Sequence, residues 1–238
     1  MEATPGVVQS ARQRVRAAVS ADIVAEARRQ LAVGGAAALS LRAVARQLGM
    51  ASSAMYRYFP SRDELLTALI IEGYDALADV AETAAGTGGG NLKRFRTVCR
   101  AVRGWALEHP HEYALLYGSP IPGYQAPGFT IGPASRTTLV LTGIVLDAYR
   151  AGEVEVPEGP ALSRAMATEA RAIGQLAMPD APLPVVAGAL VVWTLLFGQI
   201  SFELFGRFEG VVQETEVLFE HSVKVMADLV GLSAAGPA

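Results

Sequence analysis

Cysteine is almost missing: the 238 residues hold one, Cys99, which excludes an internal disulfide and any multi-cysteine zinc or iron–sulfur site. Aromatic side chains are also scarce, at 7%, while Ala, Val and Leu dominate an apolar share of 51%. That mix suits helices and argues against a large β-sandwich. Residues 1–10 contain no apolar core of signal-peptide type, and the arginines that follow do not form a transit pattern, so a cytoplasmic location is expected. One long stretch, residues 181–202, lacks any charge. Its length touches that of a membrane span, but Pro182 and Pro184 shorten the helical part and Thr194, Gln199 and Ser201 interrupt it. A buried helix, covered on all sides by its own domain or by a second subunit, is expected instead, with no membrane partner.

What is present is enough apolar material for one large or two modest domains, with the charge divided unevenly. Residues 1–63 carry nine arginines, no lysine and four acidic side chains, a net charge of +5, which leaves −8 on the rest of a chain whose total is −3. A basic head on an acidic body is the footprint a polyanion binder needs, although arginine on exposed helix faces also serves simple solvation.

A helical period runs through most of the chain. Val15, Val19, Ile23 and Ala27 recur every fourth residue and place a first amphipathic helix over 13–33, ended by Gly34 and Gly35. Ser40 is placed to cap a second helix of about nine residues, with Leu41, Val44, Ala45 and Leu48 on one face and Gly49 as a left-handed stop. A third of similar length opens at Ala51 or Ser52, turns Met55 and Phe59 inward and cannot pass Pro60. Ser61 to Glu64 reads as a capping box ahead of Leu65, Leu66, Leu69, Ile70, Tyr74 and Leu77, so a long fourth helix follows at once. The Gly-Thr-Gly-Gly-Gly of 86–90 is a connector, and further helices are expected over 92–108, 111–117, 134–151, 161–177, 185–205 and 211–230, with a Pro- and Gly-rich loop over 118–133. The expected fold class is all-α: a three-helix basic head over 1–60 with a disordered arm at about 1–11, and a larger helical domain over 61–238.

The second and third helices carry the chemistry. Two short helices cross steeply when the first has a small residue at the contact, here Ala45, and the turn tolerates positive φ, here at Gly49. This is helix-turn-helix spacing, centred on the basic head, and the later helix would enter a major groove. Other constellations fail. His111-Glu112 lacks the second histidine of a zinc-protease helix, His109 and His111 are too few for a closed metal site, and the glycines of 118–132 lack a following Gly-Lys-Ser/Thr. No metal, cofactor or catalytic residue is expected, which counts against a helical enzyme built around Trp105, His109, His111 and Glu112. Cys99, near Arg96, Arg100 and Arg103, is either an activated thiol or a small buried residue.

Ala45-x-x-Leu48-Gly49, followed by Met55-Tyr56-Arg57-Tyr58-Phe59-Pro60-Ser61-Arg62-Asp63-Glu64-Leu65-Leu66, resembles the N-terminal signature of TetR-type transcriptional regulators over about residues 15–78. Met55 stands for the usual Leu and Arg62 for the usual Lys. More weakly, Trp105 to Pro110 with Tyr113 to Tyr124, and then Trp193 to Gly198, resemble a C-terminal subgroup of that family with a Trp-x-x-x-His-Gly helix; Phe197 stands where the histidine would be. The resemblance implies a homodimer, joined through helices near 161–177 and 185–205, that represses transcription from a palindromic double-stranded DNA operator and leaves it when a small-molecule effector binds. An activator or ligand-independent regulator of the same family would read alike.

Residue roles follow from side-chain chemistry at the matched positions. Ser40 caps its helix and meets a phosphate, and Arg42 reaches a guanine edge or a phosphate. Ser52, Ser53 and Ala54 open the recognition helix with side chains short enough to let it lie deep against base edges. Tyr56 and Tyr58 offer hydroxyls to phosphate, one of them partly in the core and Tyr56 the better DNA contact, while Arg57 reads bases or phosphate. Arg62 is placed to clamp a phosphate at the start of the fourth helix. For the effector the candidates are Trp105, His109, Tyr113, Tyr117, Tyr124, Phe129, Trp193, Phe197 and Gln199, a set that would equally make a packed aromatic core. With no charge run beside them, the expected ligand is uncharged or weakly polar, aromatic or lipophilic. Ala165, Ala172, Gly174, Gly188 and Gly198 are expected to permit close approach across the two-fold interface.

Overall fold

A computed structural model describes residues 11–158 and 160–232. Those residues form ten α-helices and no strand: α1 (Ala11–Ala38), α2 (Leu41–Gln47), α3 (Ser52–Met55), α4 (Arg62–Ala85), α5 (Asn91–Glu108), α6 (Pro110–Tyr117), α7 (Ile131–Arg150), α8 (Arg164–Ala177), α9 (Leu183–Leu204) and α10 (Thr215–Leu229). The arm expected at 1–11 lies outside the described residues except for Ala11, which opens α1.

Several boundaries differ from the sequence reading. α3 is four residues long rather than about nine, and Tyr58 and Phe59 follow it as turns donating their N–H groups to the Met55 carbonyl at 2.9 and 3.1 Å. α7 opens at Ile131, with Pro133 in its first turn, where a missing N–H costs nothing; a 3-10 turn over Gly128–Thr130 leads into it, so the irregular segment is shorter than expected. α1 continues through Gly34 and bends at Gly35, whose φ of +66° a side chain would strain.

The chain forms two compact units. One extends to Glu72 and takes in Ser119–Pro127, and the other holds Gly73–Gly118 and the chain from Gly128 onward. In the first unit Ile23, Ala27 and Leu31 of α1, Val44 and Ala45 of α2, Met55 of α3, and Leu65, Leu66 and Leu69 of α4 are buried. Each large aliphatic side chain removed from water contributes about 1.5–3 kcal/mol, so these residues set how α2 and α3 cross. Glu26 is buried with them and keeps its charge compensated by Arg29 at 2.7 Å and Gln30 at 3.2 Å. Tyr124 joins this unit through a 2.9 Å hydroxyl contact with Thr67. Thr67 gives its own proton to the Asp63 carbonyl at 2.8 Å, so Tyr124 is the donor.

α5 is the centre of the second unit. Its Phe95, Val98, Cys99, Val102 and Ala106 are fully buried, and it packs on α6, α7, α9 and α10. Burial pushes the Cys99 thiol up to about 12, so of its two readings the structure supports the small buried residue. Arg103 ties three helices: its guanidinium donates to both oxygens of Glu203 on α9 at 2.7 and 2.8 Å, donates to Glu216 on α10, and lies 5.0 Å over the Phe219 ring. On the surface, Arg136 of α7 gathers Asp75, Asp79 and Glu82 of α4.

Of the two covers expected for α9, the chain's own domain supplies only part. Val185, Val186, Val192, Leu196 and Ile200 face the core, but Val191, Leu195 and Phe202 remain 46%, 43% and 54% exposed. α9 and residues 128–150 are long and apolar enough to cross a membrane, yet α9 packs against α5, α6, α8 and α10. Two of the small residues expected at a subunit interface serve contacts within the chain. A Cβ on Gly188 would lie 2.2 Å from the Leu229 carbonyl oxygen of α10, and one on Gly174 would meet Val186 at 3.4 Å.

Candidate nucleic-acid interface

The sequence at residues 40–60 builds a short, rigid pair of helices. Ser40 Oγ accepts the Ala43 N–H at 3.5 Å and starts α2, and Gly49, at φ +64°, reverses the chain after it. The Met50 N–H then donates to the Ala45 carbonyl at 2.8 Å, which closes the turn over a buried Ala45. With Met55 fully buried beneath α3, the outward residues are fixed: Arg42, Ser52, Ser53, Tyr56 and Arg57 are exposed, and Ala54 is half-buried. Tyr58 is half-buried too, with Arg16 of α1 stacked 6.0 Å over its ring and donating to the Arg57 carbonyl at 3.3 Å. Arg42, Arg46 and Arg57 have no ion-pair partner among the described residues, so their charge faces solvent unneutralised. Exposed hydroxyls and unpaired guanidiniums on a two-helix unit are what phosphate contact and base readout require.

Arg62 is placed differently from the phosphate clamp expected of it. Its Nε and Nη2 donate to the carbonyls of Leu39 and Ala36 at 3.2 and 2.8 Å, and Nη1 lies 3.9 Å from Asp63. These carbonyls lie at and just past the end of α1, where the helix leaves acceptors unsatisfied, so Arg62 ties α4 to that end. Ser61 caps α4 as expected, its Oγ accepting the Glu64 N–H at 3.1 Å.

The nine effector candidates do not converge. Tyr113, fully buried, donates to the Phe197 carbonyl at 2.8 Å and sits 3.0 Å from Ser201 Oγ; burial pushes its pKa up to about 12. Tyr117 stacks on Phe197 at 4.4 Å and lies against Tyr113 at 5.0 Å, its hydroxyl also raised by burial. Trp105 is buried against His109 at 5.2 Å. These five form packed ring contacts. Tyr124 belongs to the other unit, and Phe129 is 67% exposed. Trp193 instead lines an apolar groove of about 410 Å³ with Leu139 and Thr142 of α7, Leu176 of α8, and Val186 and Leu190 of α9. Gln199 lines another, of about 420 Å³, with Leu195 and Phe202 of α9 and Val225 of α10. Neither grouping was legible from periodicity, because both depend on which helices become neighbours.

Comparison with known proteins agrees with this geometry. Residues 23–69 match the bacterial regulatory proteins of the tetR family, and residues 95–226 match the tetracyclin repressor-like C-terminal domain. The HTH-type transcriptional regulator Rv1816 of Mycobacterium tuberculosis is 37% identical over 222 residues, which span 90% of this chain and 93% of that protein. Among solved structures, the regulatory protein SCO4313 is 36% identical with a TM-score of 0.76, covering 92% of this chain and all of its own. A protein of unknown function from Rhodococcus sp. RHA1 shares the fold at 22% identity, with a TM-score of 0.68 over 96% of this chain and all of its own. Identity at this level along nine-tenths of the chain, on a helix-turn-helix whose cations face outward, shows that the protein belongs to the tetR family of DNA-binding transcriptional regulators and is not an enzyme.

Proposed function

We propose that this protein is a cytoplasmic repressor that occupies a palindromic operator as a homodimer and is released by an uncharged, lipophilic small molecule. The observation that carries the reading is the unneutralised surface of α2 and α3, where Arg42, Ser52, Ser53, Tyr56 and Arg57 lie exposed together. Within this proposal the DNA-binding domain is residues 1–60 and the remainder takes the effector and the second subunit. The exposed side of α9, with Val191, Leu195 and Phe202, supports dimerisation. The helix that accompanies it is α10, through Val225, rather than α8, whose Gly174 already packs on Val186.

The groove beside Trp193 supports the effector. Two of its three hydroxyls are spent as donors within α7, Ser135 on the Ile131 carbonyl at 2.8 Å and Thr142 on the Thr138 carbonyl at 3.0 Å, and Thr138 adds the third. A ligand there meets hydrocarbon and ring faces with no cation to pair an anion, which suits an uncharged lipophile. Binding must favour a conformation that fits the operator poorly, since a ligand equally at home in both states shifts nothing.

Selection of bound sequences from a random duplex pool tests the reading. An inverted repeat is expected, with half-site centres about one helical turn or a multiple apart. Arg42→Ala should weaken operator binding by roughly 5- to 150-fold with the dimer intact, corresponding to about 1–3 kcal/mol for a specific base contact. Enrichment of no sequence, or operator affinity unchanged in Arg42→Ala and Tyr56→Phe, would refute it.

A further inference from the structure

The first turns of α1 and the recognition helix enclose a groove of about 540 Å³ that the sequence reading did not assign. Arg12, Arg16 and Arg57 line it, with Tyr58, Ala54 and Val15 among its walls. Arg12 and Arg16 are one turn apart, so they share a face of α1. Arg16 is held in place by the Arg57 carbonyl and the Tyr58 ring, whereas Arg12 and Arg57 have no ion-pair partner among the described residues. A single carboxylate, Asp22, lines the groove against three guanidiniums. Positions 1–10 contain no arginine or lysine.

We infer that this groove seats a strand of the DNA sugar–phosphate backbone, so that α1 extends the footprint of α2 and α3 beyond the bases they read. Charge complementarity and continuity with the exposed face of α3 carry the assignment, which rests on the DNA-binding reading above. Arg12 and Arg57 contact phosphate, and Arg16 acts mainly as a positioning residue, since its contacts fix the end of the recognition segment that bears Arg57. Such contacts are blind to sequence, so they strengthen operator and random DNA alike.

The test is anisotropy titration of the full-length protein with a labelled 30-base-pair duplex of random sequence, at several salt concentrations between 50 and 200 mM. Removing one arginine–phosphate pair lowers the slope of log K against log salt by about 0.9, so the parent's advantage over Arg12→Gln should shrink about 2.7-fold per pair between 50 and 150 mM. Two further variants separate the groove from net charge. Val15→Glu puts a carboxylate inside the groove and Ala21→Glu puts one on the opposite side of α1; both positions are exposed, so folding is checked simply by circular dichroism. Val15→Glu should weaken binding roughly tenfold at 50 mM salt, the effect of a like charge several ångströms from a phosphate, and Ala21→Glu by less than half that factor.

Equal losses in Val15→Glu and Ala21→Glu, or an unchanged slope in Arg12→Gln, overturn the groove assignment. If Arg42→Gln still lowers the slope in that case, the DNA-binding reading stands without it. A parent protein that fails to bind the duplex at 50 mM salt defeats both. A loss in Arg12→Gln seen with poly-glutamate but not with the duplex would assign the groove to an acidic peptide instead and overturn the proposal.

Discussion

Replacing Glu203 by Ala should cost about 3 kcal/mol of folding stability, and the magnitude follows from what the change leaves behind. The side chains of Arg103 and Glu203 are 11% and 12% exposed, and two hydrogen bonds join them. Removing one partner of a buried pair strands the other charge, at about 3–5 kcal/mol. Two features place the cost at the lower end. Glu216, 63% exposed, still accepts from Arg103, and Glu203 sits in the last turn of α9, where the helix dipole disfavours a carboxylate. The expected fall in Tm is about 6–12 °C, at roughly 2–4 °C per kcal/mol for a chain of this size. The double variant Arg103→Met, Glu203→Leu removes both charges and should return to within about 1 kcal/mol of the parent. Urea denaturation at fixed protein concentration, followed by far-ultraviolet circular dichroism, reads Glu203→Ala and the cycle of parent, Arg103→Met, Glu203→Leu and the double variant. A Glu203→Ala protein within about 0.5 kcal/mol of the parent, or a double variant as unstable as the two singles added, would refute the reasoning.

The same pair has a pH signature. The Arg103 hydrogen bonds hold Glu203 below its usual carboxylate range. Its contribution is therefore present in full above the unfolded value and is lost as the pH falls through the lowered one. Between roughly pH 5 and 3 the parent should lose more stability than the double variant does.

Two other outcomes are expected. Gly188→Ala should destabilise by about 1–3 kcal/mol or more, because its Cβ meets the Leu229 carbonyl, while Gly143→Ala, with nothing within 4 Å, should be neutral or gain up to about 1 kcal/mol of helix propensity; equal denaturation midpoints for the two would contradict this. Cys99 should resist maleimide at pH 8 in the folded protein and react once urea unfolds it, its thiol being buried and its pKa raised to about 12; rapid labelling of the native state would contradict the burial.

Local rules made the helix-turn-helix legible in advance. Gly49 and Ser61 act through backbone geometry within a few residues, and both adopt the conformations their types and positions imply. Ala45 and Met55 were likewise readable as core, because period and size determine which face they share. Long-range partners were not readable. Arg62 sits where an anion clamp belongs, yet its guanidinium finds carbonyls 23 and 26 residues earlier. Gly174 and Gly188 have the composition of a subunit contact, and only the packing of α9 on α8 and α10 shows which surface they serve. The effector candidates were grouped by ring type and nearness in sequence, whereas helix adjacency distributes them among a packed cluster, two grooves and a separate unit. Arg12 and Arg16 were visible as charge, but their shared groove depends on where α1 meets α3.

The hydroxyl contact between Tyr124 and Thr67 bears on recombination among relatives. The unit that presents α2 and α3 also includes Ser119–Pro127, a segment entered and left through the other unit. A chimaera made by joining one relative's first 72 residues to another's remainder would therefore inherit a seam away from its visible junction. Donor specificity should transfer with fewer folding losses when the short stretch around Tyr124 travels with the head, so the exchangeable module is discontinuous in sequence.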